Sequence, residues 1–126
     1  MLTLSLMLFA TPALALALEK EPFTNERFEQ LREEGQLVLV DVFADWCSTC
    51  ARQQEILKAY VAEHPDVDLH ILEVNYDNDK AIVRQLRAPR QSTLLLYKGD
   101  RQHWFSVAET NKDAVFTNLN RAANAQ

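Results

Sequence analysis

The chain predicts an α/β fold in which a mixed central sheet of about four strands is covered by helices on both faces. Three observations predict it. Apolar runs of strand length occupy residues 36–43, 67–76 and 93–98. Stretches with apolar residues at helical spacing precede, separate and follow these runs. Gly99-Asp100 then turns the third run directly into residues 101–107, so at least one strand pair is an antiparallel hairpin.

In chain order, residues 1–18 carry no charged side chain, and their apolar run is interrupted by Pro12. It falls short of the roughly 20 residues that span a bilayer. Ala13 with Ala15, or Ala15 with Ala17, offers an Ala-x-Ala cleavage site. The expectation is a signal peptide over residues 1–17 and a domain over residues 18–126. An uncleaved anchor and a mis-assigned start codon are the alternatives, since only the α-amino group supplies positive charge ahead of the apolar run. Each points to a periplasmic or otherwise exported protein in an oxidising compartment.

Thr24 or Asn25 can cap a first helix with Glu26 in its first turn, an apolar stripe from Phe23, Phe28 and Leu31, and Gly35 at its end. Residues 36–43 follow as a valine- and leucine-rich strand buried on both faces. A helix from residue 50 to about 63 can turn Ile56, Leu57, Tyr60 and Val61 to the sheet and leave Arg52, Gln53 and Lys58 in water. His64-Pro65-Asp66 closes it. Residues 67–76 form a second, parallel strand, residues 78–86 a short helix, and Ala88-Pro89-Arg90 a break before the hairpin. The last helix, from residue 111 to about 123, places Val115, Phe116 and Leu119 inward.

A length of 126 residues with 48% hydrophobic and 25% charged residues suits one globular domain and leaves no room for a second. Two glycines and four prolines exclude a long flexible linker. The net charge of −5 comes with no basic patch, which argues against a nucleic-acid partner. A monomer is expected.

The chemistry concentrates where the first buried strand runs into Cys47-Ser48-Thr49-Cys50. Two thiols at this spacing at the start of a helix can close a small disulfide. The free N–H groups and dipoles of the helix's first turn favour a thiolate on the leading sulfur. Cys47 is therefore the expected nucleophile and Cys50 the resolving thiol. A permanent disulfide would restrain little chain entropy in so small a loop. A metal site would need two more ligands, and His64, His70 and His103 stand at no spacing that supplies them. His64 is expected at a helix end and His103 on an exposed strand face.

Asp41 lies six residues before the first cysteine, Trp46 directly before it, and Thr93-Leu94-Leu95-Leu96-Tyr97-Lys98-Gly99 far downstream. With the Cys-x-x-Cys pair, these make residues from about 19 to 123 resemble a thioredoxin-family domain. The resemblance implies the thioredoxin fold and thiol–disulfide exchange without a dissociable cofactor. It implies that Asp41, buried mid-strand with a raised pKa, takes the proton from Cys50 when that thiol attacks the mixed disulfide; an edge aspartate facing water is the alternative. It gives Trp46 the place of the tryptophan that flanks the nucleophile, where the alternative is a plain surface residue; Trp104 is expected to pack on the hairpin. The loop at Ser92 and Thr93 is placed on the substrate side.

The departures from the family pattern are as informative. Ser92 stands where thioredoxins carry a cis-proline before the threonine matched by Thr93. A cis bond before a non-proline costs about 2.5–4 kcal/mol, so the peptide is either trans or strained. Glu73 matches a position where thioredoxins commonly carry a lysine near the buried aspartate. Two facing carboxylates would keep Asp41 protonated to higher pH, unless Glu73 points to solvent. Ser48-Thr49 replaces Gly-Pro between the cysteines, the following helix lacks a proline, and Ala108 replaces a glycine bordering the substrate groove. These features imply an exported, divergent thiol:disulfide oxidoreductase, read as a periplasmic reductase of protein disulfides. Its electrons would come from a membrane donor of the DsbD or CcdA kind. Alternatives are an oxidase or isomerase of the same fold, a protein binding a soft metal such as copper through both thiolates, and a redox-inert binding module.

Overall fold

A computed structural model of the chain describes residues 18–126; the expected signal peptide over residues 1–17 lies outside the described residues. The elements are β1 (Glu21–Pro22), α1 (Asn25–Glu33), β2 (Leu37–Phe43), α2 (Ser48–Glu63), β3 (Leu69–Asn75), α3 (Lys80–Gln85), β4 (Thr93–Lys98), β5 (Arg101–Val107) and α4 (Lys112–Ala123). They build one five-stranded sheet in the order β1-β3-β2-β4-β5. The two pairings that involve β1–β3 and β2–β3 are parallel; β2–β4 and β4–β5 are antiparallel. The expected sheet of about four strands gains β1. At two residues, that strand is too short to leave a periodic signal.

The strand period of two divides the core into two layers. Val38, Val40 and Val42 of β2 point to one face, where Phe28 and Leu31 of α1 and Val83 of α3 cover them. Leu37 and Leu39 point to the other, under Leu57 and Tyr60 of α2 and Val115 and Leu119 of α4. Each fully buried aliphatic or aromatic side chain contributes about 1.5–3 kcal/mol, so the sheet's central strands anchor the domain. The same parity sends Asp41 to the α2 side of the sheet, into a layer otherwise filled with apolar side chains, most of them leucine.

Local signals set the helix ends. Thr24 caps α1 by accepting from the Arg27 N–H at 3.0 Å, and Gly35, at φ +70°, takes the left-handed turn after it. Asn111 caps α4 by accepting from the Ala114 N–H at 2.9 Å. His64 ends α2, with its backbone N–H bonded to the Tyr60 carbonyl. Trp104 packs partly buried against the α2–α4 layer. Among the described residues no helix is long and apolar enough to cross a membrane.

A candidate dithiol/disulfide active site

The site forms where β2 ends and α2 begins. Cys47 is the N-cap of α2, and its Sγ accepts the Cys50 N–H at 3.1 Å, in the place that an oxygen fills in ordinary caps. The helix thus begins at Ser48, and one of the free N–H groups of its first turn, that of Cys50, is aimed at the leading sulfur. Cys47 and Cys50 are disulfide-bonded, with Cα atoms 5.3 Å apart, and both are buried. Beside the sulfurs lies a cavity of about 190 Å³ lined in part by Lys20, Asp45 and Gln54.

Asp41 is fully buried beneath α2, which excludes the water-facing alternative. Its Oδ2 accepts from Gln54 Nε2 at 2.7 Å, while Gln54 Oε1 accepts from Lys20 Nζ at 2.6 Å. Lys20 also forms an ion pair with Glu73, the residue directly opposite Asp41 on β3. Asp41 Oδ1 is buried without a hydrogen-bond partner. Burial therefore pushes the carboxyl up to about 6, against the opposing effects of the Gln54 hydrogen bond and the Lys20 charge; Glu73 adds a further, smaller push upward. The expected confrontation of two bare carboxylates is corrected accordingly. Lys20, just ahead of β1, replaces the missing strand lysine from a different element, and desolvation dominates the carboxyl's displacement.

Ser92 is wholly buried at φ +66°, and among the described residues no peptide bond is cis. The bond before it is trans. Its N–H donates to the Val42 carbonyl at 2.8 Å, and its carbonyl accepts from the Ala108 N–H at 2.9 Å and from Gln53 Nε2 at 3.1 Å. Its Oγ lies 3.1 Å from each sulfur. Ser92 therefore faces the disulfide from inside, with its own backbone polar groups already engaged. Thr93 is buried too, its hydroxyl donating to the Arg90 carbonyl at 2.6 Å, so neither side chain is presented on the outer surface as a substrate contact. Trp46 is 64% exposed, with its indole N–H bonded to Asp77 Oδ2 at 2.8 Å. Ala108, at φ +60°, holds the left-handed conformation that glycine adopts without strain.

Gln54 belongs to the site, and so does Gln53, which the helical pattern is expected to leave in water. It is buried, and Nε2 bridges the carbonyls of Ser92 and Glu109, each at 3.1 Å. A signal existed: the buried positions of α2 are Cys50, Gln53, Leu57 and Tyr60, which fall on one helical face. Lys20 carries no such signal, because its partner Gln54 is 34 residues away. The histidines stay apart from the sulfurs, and among the described residues no cluster of three or more histidine, cysteine or acidic side chains could hold a metal.

A vicinal cysteine pair at a helix N-terminus, on a mixed sheet with helices on both faces, defines a thioredoxin-fold thiol–disulfide oxidoreductase. Residues 19–121 match the sequence profile of the family Thioredoxin. The crystal structure of Trxlp from Edwardsiella tarda EIB202 has a TM-score of 0.74 and 39% identity, over 80% of this chain and 98% of that one. A thioredoxin of Chlamydia trachomatis is 34% identical over 92 residues, 73% of this chain and 87% of that protein. A more partial likeness, 33% over 87 residues, joins 64% of this chain to 15% of a thiol:disulfide interchange protein DsbD of a Pseudomonas. The chain belongs to the thioredoxin family. It is a thioredoxin-like disulfide oxidoreductase, with Cys47 and Cys50 as its cysteine pair.

Proposed function

We propose that the protein is an exported reductase of protein disulfides. In the dithiol form, the Cys47 thiolate attacks a substrate disulfide; one substrate thiolate leaves and a Cys47–substrate disulfide forms. Cys50 then gives up its proton to the Asp41 carboxylate and attacks Cys47 Sγ. The second substrate thiolate leaves, and the Cys47–Cys50 disulfide holds the oxidising equivalents taken from the substrate. Two electrons have passed to the substrate, and no dissociable cofactor is involved.

The observation that carries this reading is the Asp41 carboxyl. It is buried under the cysteine helix, and Gln54, which holds it, also lines the cavity beside Cys50. Displaced to about 6, it is mostly ionised at neutral pH and ready to accept a proton. Proton acceptance from Cys50 accompanies closure of the Cys47–Cys50 disulfide, and the same carboxyl returns the proton when that disulfide opens, so Asp41 serves exchange in either direction; the reductase direction follows the likeness to thioredoxins. Export rests on the uncharged apolar residues 1–17 with their Ala-x-Ala sites. In that compartment a membrane donor of the DsbD or CcdA kind would return the electrons. Exposed Trp46 is the side chain placed to meet the substrate protein.

The test is the reduction potential of the Cys47/Cys50 couple, measured against glutathione and dithiothreitol buffers in the protein beginning at Leu18. On the family's reference scale, a value near about −270 mV supports a reductase. A value near about −120 mV makes the protein an oxidant and reverses the proposed direction.

A further inference from the structure

Ser92 holds the place of the family's proline, and its hydroxyl sits between the two sulfurs, 3.1 Å from each. Being wholly buried, it has no water to turn to. In the disulfide state the hydroxyl is the only one of the three groups with a proton to give, and a disulfide sulfur is a weak acceptor. A thiolate is a strong one, because hydrogen bonds to charged groups are about twice as strong as neutral ones.

We propose that Ser92 is a catalytic residue whose hydroxyl donates to the Cys47 thiolate in the dithiol state and stabilises it. The inference rests on the reading of Cys47 as the attacking sulfur. The protons balance in one arrangement: Cys50 S–H donates to Ser92 Oγ, and Ser92 O–H donates to Cys47 S⁻. The charge settles on Cys47 because that sulfur alone also accepts the Cys50 N–H from the first turn of α2, at 3.1 Å. When Cys47 and Cys50 join, the hydroxyl loses its charged acceptor, so it favours the reduced protein over the oxidised one.

The backbone is arranged to hold this hydroxyl in place. A left-handed serine is strained by about 1–2 kcal/mol, and three hydrogen bonds fix it there: Ser92 N–H to Val42 O, Ala108 N–H to Ser92 O, and Gln53 Nε2 to Ser92 O. A proline has neither the N–H that meets Val42 nor a hydroxyl. The other charged groups near the sulfurs are Lys20 and Asp45, which line the adjoining cavity, and Asp41, held behind Gln54; none of them hydrogen-bonds a sulfur.

The experiment uses Ser92→Ala and Ser92→Gly. Alanine removes the hydroxyl alone, and glycine also relieves the left-handed backbone, so it folds if alanine does not. In the reduced proteins, the ionisation of Cys47 is followed by the pH dependence of iodoacetamide alkylation and by the ultraviolet absorbance of the thiolate. The acidity of Cys47 is expected to fall about tenfold or more in both variants. The equilibrium with glutathione is expected to move by the same factor towards the disulfide, about 30 mV more reducing per tenfold. An unmoved Cys47 ionisation in either folded variant overturns the proposal, whatever happens to stability. That result is separable from a failure of the reductase reading, which is decided by the potential of the wild-type protein and leaves the Ser92 shift intact.

Discussion

Replacing Asp41 with asparagine should stabilise the oxidised protein at neutral pH and flatten its stability profile in mild acid. In the unfolded chain the carboxyl ionises at its ordinary value of 3.8, and in the fold burial moves it up to about 6. Between those values the native state keeps a proton that the unfolded state has lost, so stability falls as pH rises through the window. The group's favourable contribution is complete below 3.8 and lost above about 6. At roughly 1.4 kcal/mol per pH unit, the buried carboxylate costs about 3 kcal/mol at neutral pH relative to a neutral group. Asparagine is isosteric, stays neutral, and can still accept from Gln54 Nε2. The variant should therefore be more stable by about 2–3 kcal/mol at neutral pH, roughly 10 °C in Tm, with little difference below about pH 4. Urea unfolding of both oxidised proteins across that range measures the difference directly. A constant difference at every pH would refute the reasoning, because it would mean that Asp41 titrates alike in the folded and unfolded chains. The same variant should resolve the mixed disulfide about 100-fold more slowly while Cys47 alkylation is unchanged.

Lys20→Met removes the cation that opposes the displacement of Asp41, so the midpoint of the acid stability slope should move upward by a few tenths of a pH unit, the small size reflecting a partly exposed lysine; an unmoved midpoint would detach Lys20 from Asp41. Gln53→Leu withdraws the amide from the carbonyls of Ser92 and Glu109 and should lower stability by about 1–3 kcal/mol in urea unfolding, with an unchanged midpoint showing that the clamp carries no weight. Trp46→Ala should change stability by less than about 1 kcal/mol, since the ring is largely exposed. It should raise the KM for a protein disulfide several-fold, and an unaltered KM would take Trp46 out of the substrate surface.

The main elements and the cysteine pair were legible because they rest on local regularities. Valine and leucine in strand-length runs, Thr24 as a cap, and Gly35 and Gly99 at turns each act over a few residues. Asp41 could be placed because a carboxylate among valines and leucines on a central strand has no route to water. What remained hidden depends on contacts across the sheet or between distant segments. β1 exists only by pairing with β3, through Glu21 opposite Leu72 and Pro22 opposite Glu73. The same docking brings Lys20 to Glu73 and Gln54, a partnership no spacing in the chain announces. Ser92 was visible as a missing proline, but the direction of its hydroxyl follows from a left-handed backbone fixed by Val42, Gln53 and Ala108, contributed by three other segments.

These contacts give the two sulfurs separate environments, although they lie on one turn of one helix. Cys47 meets donors: the Cys50 N–H and the Ser92 hydroxyl. Cys50 shares the hydroxyl but has no backbone donor on its sulfur, and with Cys47 it lines the cavity that Gln54 connects to the Asp41 carboxylate. Donors favour a charge and a base removes a proton, so the arrangement separates the attacking role from the resolving one. Changing one sulfur's surroundings should leave the other's largely intact. Ser92→Ala should thus alter the first attack and the potential, while Asp41→Asn should alter only the resolving step and the acid stability slope. The double variant tests the separation: additive effects on the two readouts are expected, and a Cys47 ionisation that shifts on Asp41→Asn alone would show that the sulfurs share one electrostatic site.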